Sequence, residues 1–182
     1  HRHRRAAGRL LTAALFIAAV CLLPPATAAP PAVARAAVEQ SGRRGGACAV
    51  VGAVDARLPL ALARQGTFLV HTLCRDADTR DRVRSEIDDA ARYGTVSATL
   101  LEGERLPYTE NLLTLVAVEN PPPDWPAQTL ARELDRVLSP LGATWIRTGA
   151  ASSDDTAAIR TACRNAGLEP LPETEPANDG WL

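Results

Sequence analysis

The chain has no lysine and no methionine: all 20 of its basic residues are arginine. Without lysine there can be no Schiff-base amine and no P-loop lysine over a nucleotide phosphate. Without methionine, His1 is not expected to be a translation start. Aromatics make up only 4% of residues and the formal charge is −1, so neither a stacking platform nor a basic face for a polyanion is in evidence. Histidine is almost as scarce. Two of the three stand at His1 and His3, which leaves His71 alone in the body of the chain. No two of the four cysteines (Cys21, Cys48, Cys74, Cys163) have CxxC spacing. A zinc site, a Ser/His/Asp set and a pair of catalytic carboxylates all fail to assemble, so neither catalytic nor metal-ligating residues are assigned.

What is present begins with a segment unlike the rest. "HRHRRAAGR" is basic, "LLTAALFIAAVCLL" is an apolar run of fourteen residues, and an A-x-A exit follows at Ala26-Thr27-Ala28. This is the pattern of a secretory signal peptide, expected over residues 1–29. A membrane anchor would need roughly 20 apolar residues. Cys21 would suit lipidation, but Val20 stands where a small residue is expected. Cleavage would remove four of the 20 arginines and no acids, leaving 16 against 21 acidic residues, a balance of −5. An exported (periplasmic or extracellular), acidic product is therefore expected, with no nucleic-acid partner and no membrane attachment after cleavage. Its three remaining cysteines leave at least one without an internal partner. Cys48 and Cys74 fall at opposite ends of neighbouring strands and are not expected to bond.

Residues 30–46, "PPAVARAAVEQSGRRGG", show no sustained periodicity and read as a flexible leader. From Ala47 onward apolar runs suited to buried strands recur at Ala47–Ala53, Thr67–Leu73, Val96–Leu101, Leu112–Glu119 and Ala143–Thr148. Between them lie helical stretches at Leu58–Gln65, Ala77–Tyr93, Ala127–Leu138 and Ser153–Ala166. Strict alternation of strand and helix implies an α/β fold, a doubly wound, mostly parallel sheet with helices on both faces. The charges of "DADTRDRVRSEIDDAARYG" read as a solvated helix exterior laced with ion pairs, with Val83, Ile87 and Ala90 turned to the sheet.

In this order the segments resemble the class I S-adenosylmethionine-dependent methyltransferases over residues 48–168. "CAVVGAVDARLPLALARQG" is similar to the strand–loop–helix that holds the methionine end of the cofactor. "FLVHTLCRDADT" resembles the second strand and its ribose-binding turn. "LLEGERLPYTENLLTLVAVEN" resembles the adenine-contacting stretch and the fourth strand, and "LDRVLSPLGATWIR" the family's helix end, Pro-Gly-Gly turn and fifth strand. "RNAGLEPLPE" is similar to the last helix running toward a sixth strand. The resemblance implies a Rossmann-like domain over residues 47–170, with ligand over the carboxyl ends of the first and fourth strands. It assigns as cofactor-facing Gly52, Ala53, Asp55, Cys74, Asp76, Glu102, Gly103 and Glu119.

Several of these positions depart from the family. Val50 stands where an acid is common, Val54 and Ala56 occupy the second and third glycine positions, and Cys74 occupies the ribose acid's place. Thr114 opens the fourth strand where an acidic or polar residue is expected. Glycine serves such loops because the backbone takes positive φ or passes close to the ligand. A β-branched Val54 is therefore expected to strain the loop by about 1–3 kcal/mol. A cysteine cannot accept the ribose hydroxyls, and each charge-assisted bond lost is worth roughly 1.5–3 kcal/mol. S-adenosylmethionine is the cofactor implied, if any is held, and a cytoplasmic donor would be scarce outside the cell.

Residue by residue, alternatives stay open. Asp55 either caps the following helix or touches ligand; His71 is a buried or rim histidine or a base; Tyr108 packs or lines the site; Glu119 and Asn120 face either ligand or loop. Residues 171–182 read as a truncated tail or the start of a last hairpin, so a fragment missing its final strand is expected. Such a leader with a degenerate methyltransferase-like domain resembles the front of large exported bacterial proteins that continue into a PQQ-like β-propeller, which would be its partner. Three functions follow: a non-catalytic accessory or interaction module, an active methyltransferase with an unusual loop, or a domain binding another small ligand in the same crevice.

Overall fold

The computed structural model describes residues 30–147 and 153–168. The elements run α1 (Pro30–Ser41), β1 (Gly45–Val51), α2 (Arg57–Gln65), β2 (Thr67–Cys74), α3 (Ala77–Asp89), β3 (Val96–Leu100), β4 (Leu113–Val118), α4 (Ala127–Val137), β5 (Leu138–Ile146) and α5 (Ser153–Asn165). All strand pairings are parallel, in the order β3-β2-β1-β4-β5. The chain thus has the doubly wound α/β sheet that alternation predicts.

Strand side chains alternate between two cores, as a period of two requires. Val50, Val70 and Leu115 pack with Leu62 of α2 and with Val83 and Ile87 of α3. Ala49, Val51, Leu73 and Val116 pack with Leu130 and Leu134 of α4 and Ile159 of α5. Helices therefore cover both faces, and the expected site lies where β1 passes from its β2 neighbour to β4.

The leader expected over residues 30–46 is not what forms there. Residues 30–41 make α1, which packs on α2 with Val33, Ala34 and Ala37 buried in the first core, and Gly45 already belongs to β1. Its buried face is mostly alanine, so the sequence carries little apolar periodicity, although Pro30-Pro31 is an acceptable helix start. The helix expected to reach Tyr93 ends at Asp89. A Schellman turn closes it: Arg92 N donates to Ile87 O (3.1 Å) and Ala91 N to Asp88 O (2.8 Å), with Ala91 at φ +51° where glycine is usual. The fifth strand starts earlier than expected, at Leu138, but the pairing breaks between Leu113↔Leu138 and Leu115↔Ala143. The turn Pro140-Leu141-Gly142 bulges from that gap. The tail expected over 171–182 and the leader over 1–29 lie outside the described residues.

Between β3 and β4 no helix forms. The segment is instead clamped by α4, where Arg136 donates to Tyr108 O (2.7 Å) and Leu106 O (3.0 Å) while Glu133 accepts from Leu106 N (2.8 Å). Glu133 and Arg136 pair at 2.6 Å, a two-toothed contact that fixes both side chains. The three cysteines of the described residues are free thiols. Cys48 faces Val70, four residues before Cys74 on β2. No helix among the described residues is long and apolar enough to cross a membrane.

Candidate functional site

β1 ends against the start of a loop, residues 52–56, that leads into α2. Gly52 takes φ +70° and its N–H donates to Leu73 O (2.9 Å). A Cβ at this position would overlap the Asn120 carbonyl just past β4. Asn120 in turn donates through Nδ2 to Gly52 O (2.8 Å). The protein's own backbone therefore demands this glycine, whether or not a ligand is near.

The other two family glycine positions behave differently. Ala56 sits at φ −86°, and among the described non-glycine residues only Ala91, Asn111 and Leu141 take positive φ. The strain expected at Val54 is absent. Val54 stands half-exposed in the bend of the loop. Ala53 is buried in the first core.

This path is held by side chains. Arg82 of α3 donates to Val54 O (2.6 Å), and Glu86, one turn further on, accepts from Ala56 N (2.7 Å). The open amide at the start of α2, where an anionic ligand group could sit, thus holds the chain's own carboxylate. Asp55 is engaged locally at the start of α2: it accepts from Arg57 N (2.9 Å) and Nε (2.8 Å) and pairs with the guanidinium at 2.6 Å. Those contacts with Arg57 hold its carboxyl below the usual range, against a partial burial that works the other way.

Along the same carboxyl edge the remaining candidates divide. Cys74 is 0% exposed, and burial, aided by the charge of Asp76, pushes its thiol up to about 11. It is a neutral core residue. Asp76 caps α3 with both oxygens, accepting from Thr79 N (2.7 Å) and Thr79 Oγ1 (2.9 Å). Glu102 and Gly103 follow β3 and are exposed, Gly103 at φ +65° with its carbonyl accepting from Trp125 Nε1 (3.2 Å). Val50 lies fully within the first core, and Thr114 donates to the Gly45 and Ala47 carbonyls, both at 3.1 Å.

Glu119 stands apart from these engaged groups. It follows β4, its side chain is 9% exposed, and its backbone N–H donates to Val51 O (2.9 Å). Oε2 is buried with no hydrogen-bond partner, and Oε1 lies 3.8 Å from Arg147 beyond β5. Burial first, then the nearby Asp55 charge, raises its pKa to about 7, with smaller offsets from Arg147, Arg57 and the Val54 amide. The crevice thus brings Gly52, Asp55 and Glu119 together, while Cys74 and Asp76 are engaged elsewhere.

Away from the crevice, His71 accepts or donates at both ring nitrogens, to Tyr108 Oη and Thr99 Oγ1, each at 3.0 Å. Tyr108 meets the imidazole edge-on and packs against the second core. Burial lowers the His71 pKa, so the ring is a neutral tether for the β3–β4 segment.

The sequence reading missed Arg82 and Glu86. Their four-residue spacing on α3 resembles an ordinary solvated helix pair, and nothing local reveals that both reach loop backbone.

No protein-family model matches the chain, and no curated protein sequence does. Solved structures do. A protein of Methanococcus maripaludis assigned as an S-adenosyl-L-methionine-dependent methyltransferase superposes with a TM-score of 0.71 at 18% identity, covering 84% of this chain and 82% of that one. The fold is methyltransferase-like. The [4+2]-cyclase SpnF matches with a TM-score of 0.62 at 15% identity, covering 75% of this chain and 57% of its own. Geranyl diphosphate C-methyltransferase from Streptomyces coelicolor, solved with S-adenosyl-L-homocysteine, matches with a TM-score of 0.58 at 12% identity over 75% of this chain and 53% of its own. The chain therefore spans less than two thirds of these last two. At such identities the likeness is one of fold.

Proposed function

We propose that this chain is a methyltransferase-like module whose crevice does not hold S-adenosylmethionine in the family's way, and that it serves as a non-catalytic accessory or interaction domain of a larger exported protein. The observation that carries this reading is the ribose position. Cys74 there is sealed in the core, and the nearest acid, Asp76, has both oxygens committed to capping α3. The carboxylate of Glu86 on the Ala56 amide, just before α2, adds to the misfit, since a ligand carboxylate at that amide would have to displace it. The residues present do not fit the cofactor. The signal-like leader supports export, and a PQQ-like β-propeller remains the proposed partner on the strength of that leader and the degenerate loop alone.

A second reading, a crevice that takes another small molecule, draws on Glu119, whose buried oxygen lacks a partner. The SpnF likeness supports it too, because a cyclase occupies the same fold.

Titration calorimetry of S-adenosylmethionine and S-adenosylhomocysteine into the folded chain tests the first reading. No heat at about 100 μM protein is expected, which corresponds to affinity weaker than roughly −5 kcal/mol. Micromolar binding would overturn it and make an active methyltransferase the better reading.

A further inference from the structure

The sheet ends in two edge strands, β3 and β5, and they are finished differently. In β3 the backbone groups of Thr95 and Leu101 meet β2, so by alternation those of Val96, Ala98 and Leu100 point outward. Arg84 of α3 donates from Nε to Ala98 O (2.9 Å), which closes that edge to another strand. In β5, Arg147 N donates to Val118 O (2.8 Å), so the backbone of Ala143 and Trp145 meets β4 while that of Thr144 and Ile146 points outward. Among the described residues no strand and no side chain meets those outward groups.

Sheet edges are ordinarily guarded by charge, proline or a covering element. β5 carries no charged residue from Leu138 to Ile146, and its one proline, Pro140, precedes the run paired in register from Ala143. Ala143, Trp145 and Ile146 are buried in the two cores, so the edge is held firmly. The sequence after α5 is a poor occupant for it. Pro170, Pro172 and Pro176 have no N–H to give, and Glu169, Glu173, Glu175 and Asp179 are weak strand formers. A second copy of β5 fits better, because a strand pairs antiparallel with itself about a two-fold axis and the contact closes at two chains. With the axis beside Thr144, the two Thr144 residues face each other, and Ile146 of each copy lies opposite Gly142 of the other. No charges meet in that register. Thr144 Oγ1 is buried without a hydrogen-bond partner, and cross-strand threonines bond one another.

We propose that the outward edge of β5 is a self-association surface, on which two copies of this chain pair antiparallel about Thr144 and join their five-stranded sheets into one. The pairing supplies partners for the Thr144 and Ile146 backbone groups and for the Thr144 hydroxyl together. It also accounts for the contrast between an edge closed by Arg84 and an edge left uncharged. β5 borders β4 on the side away from β1, so the pairing is independent of S-adenosylmethionine in the crevice.

Sedimentation equilibrium of the whole chain tests it. At about 50 μM, where a pair of micromolar affinity is formed, the mass should be twice 19.3 kDa. Thr144→Pro removes an outward N–H and no bond to β4, so the variant should keep its circular dichroism spectrum and sediment as a single chain. A monomeric wild type would overturn the pairing, and so would growth beyond two copies. A dimer that survives Thr144→Pro, including one joined through the apolar run at residues 10–23, would overturn it too. Should the variant not fold, amide exchange of the wild type decides. The Thr144 and Ile146 amides should slow at least about tenfold as the chain is concentrated through its dimer midpoint, while the Trp145 amide, bonded to β4, stays slow throughout. Outward amides that exchange at one rate at every concentration would sink the proposal.

Discussion

The β1–α2 loop and the turn at residues 140–142 are two places where the family resemblance expects glycine and this chain has a bulky aliphatic residue. They resolve the conflict in opposite ways. At the loop Val54 takes negative φ, and side chains from α3 hold the bend. At the turn Leu141 takes φ +64° and stands 81% exposed. The difference follows from what each segment is tied to. The turn must bridge α4, whose last residue is Val137, and the β4 pairing that resumes at Ala143, within a few residues. The loop has polar groups on a neighbouring helix free to anchor it elsewhere. A loop anchored by side chains follows where those anchors lie, whereas a turn tied to strand register has no such latitude.

The contrast is tested most severely at Gly52, the glycine at the head of the loop. Gly52→Ala places a methyl group against the Asn120 carbonyl at positive φ. It should destabilise the chain by about 3 kcal/mol or more in urea denaturation. A loss under about 1 kcal/mol would mean that the β4 end yields and that the glycine is not fixed by backbone.

Next in size is Glu119→Gln. A carboxyl whose folded pKa, about 7, lies above its unfolded value holds extra protons in the folded state. Its favourable contribution is therefore present at acid pH and lost as pH rises from about 4.3 to about 7. The amide should leave stability nearly unchanged near pH 4 and raise it by up to about 3 kcal/mol at pH 8. Equal melting curves for wild type and variant at pH 8 would remove the buried charge from the account.

The finest test pairs the two replaced glycines. Leu141→Gly relieves a left-handed leucine and should stabilise by roughly 0.5–1 kcal/mol. Val54→Gly relieves nothing and should destabilise by roughly 0.5–1 kcal/mol, through greater freedom of the unfolded chain. The same denaturation midpoints measure both, and like signs would erase the contrast.

How far the sequence could be read follows the range of the forces involved. β2, β3 and β4 were legible to within a residue or two because their apolar runs are local and uninterrupted. α1 was not, because alanine buries well against α2 without marking a periodic face. The end of α3 was obscured because Ala91 does glycine's work in the Schellman turn. In the crevice, Gly52, Asp55 and Glu119 could be named from their place after β1 and β4. What they do could not, since it depends on Asn120, Arg147 and Glu86, which lie tens of residues away along the chain.

The sequence alone determined the alternation of strand and helix, the parallel sheet and the edge at which the candidate residues gather. Those follow from side-chain period and local caps. Only the tertiary structure decided that Val54 is unstrained, that Asp76 caps a helix, that Glu86 sits on the Ala56 amide, and that one oxygen of the Glu119 carboxylate is buried without a hydrogen-bond partner. Each of these rests on a hydrogen bond, or the want of one, between groups that only folding brings together.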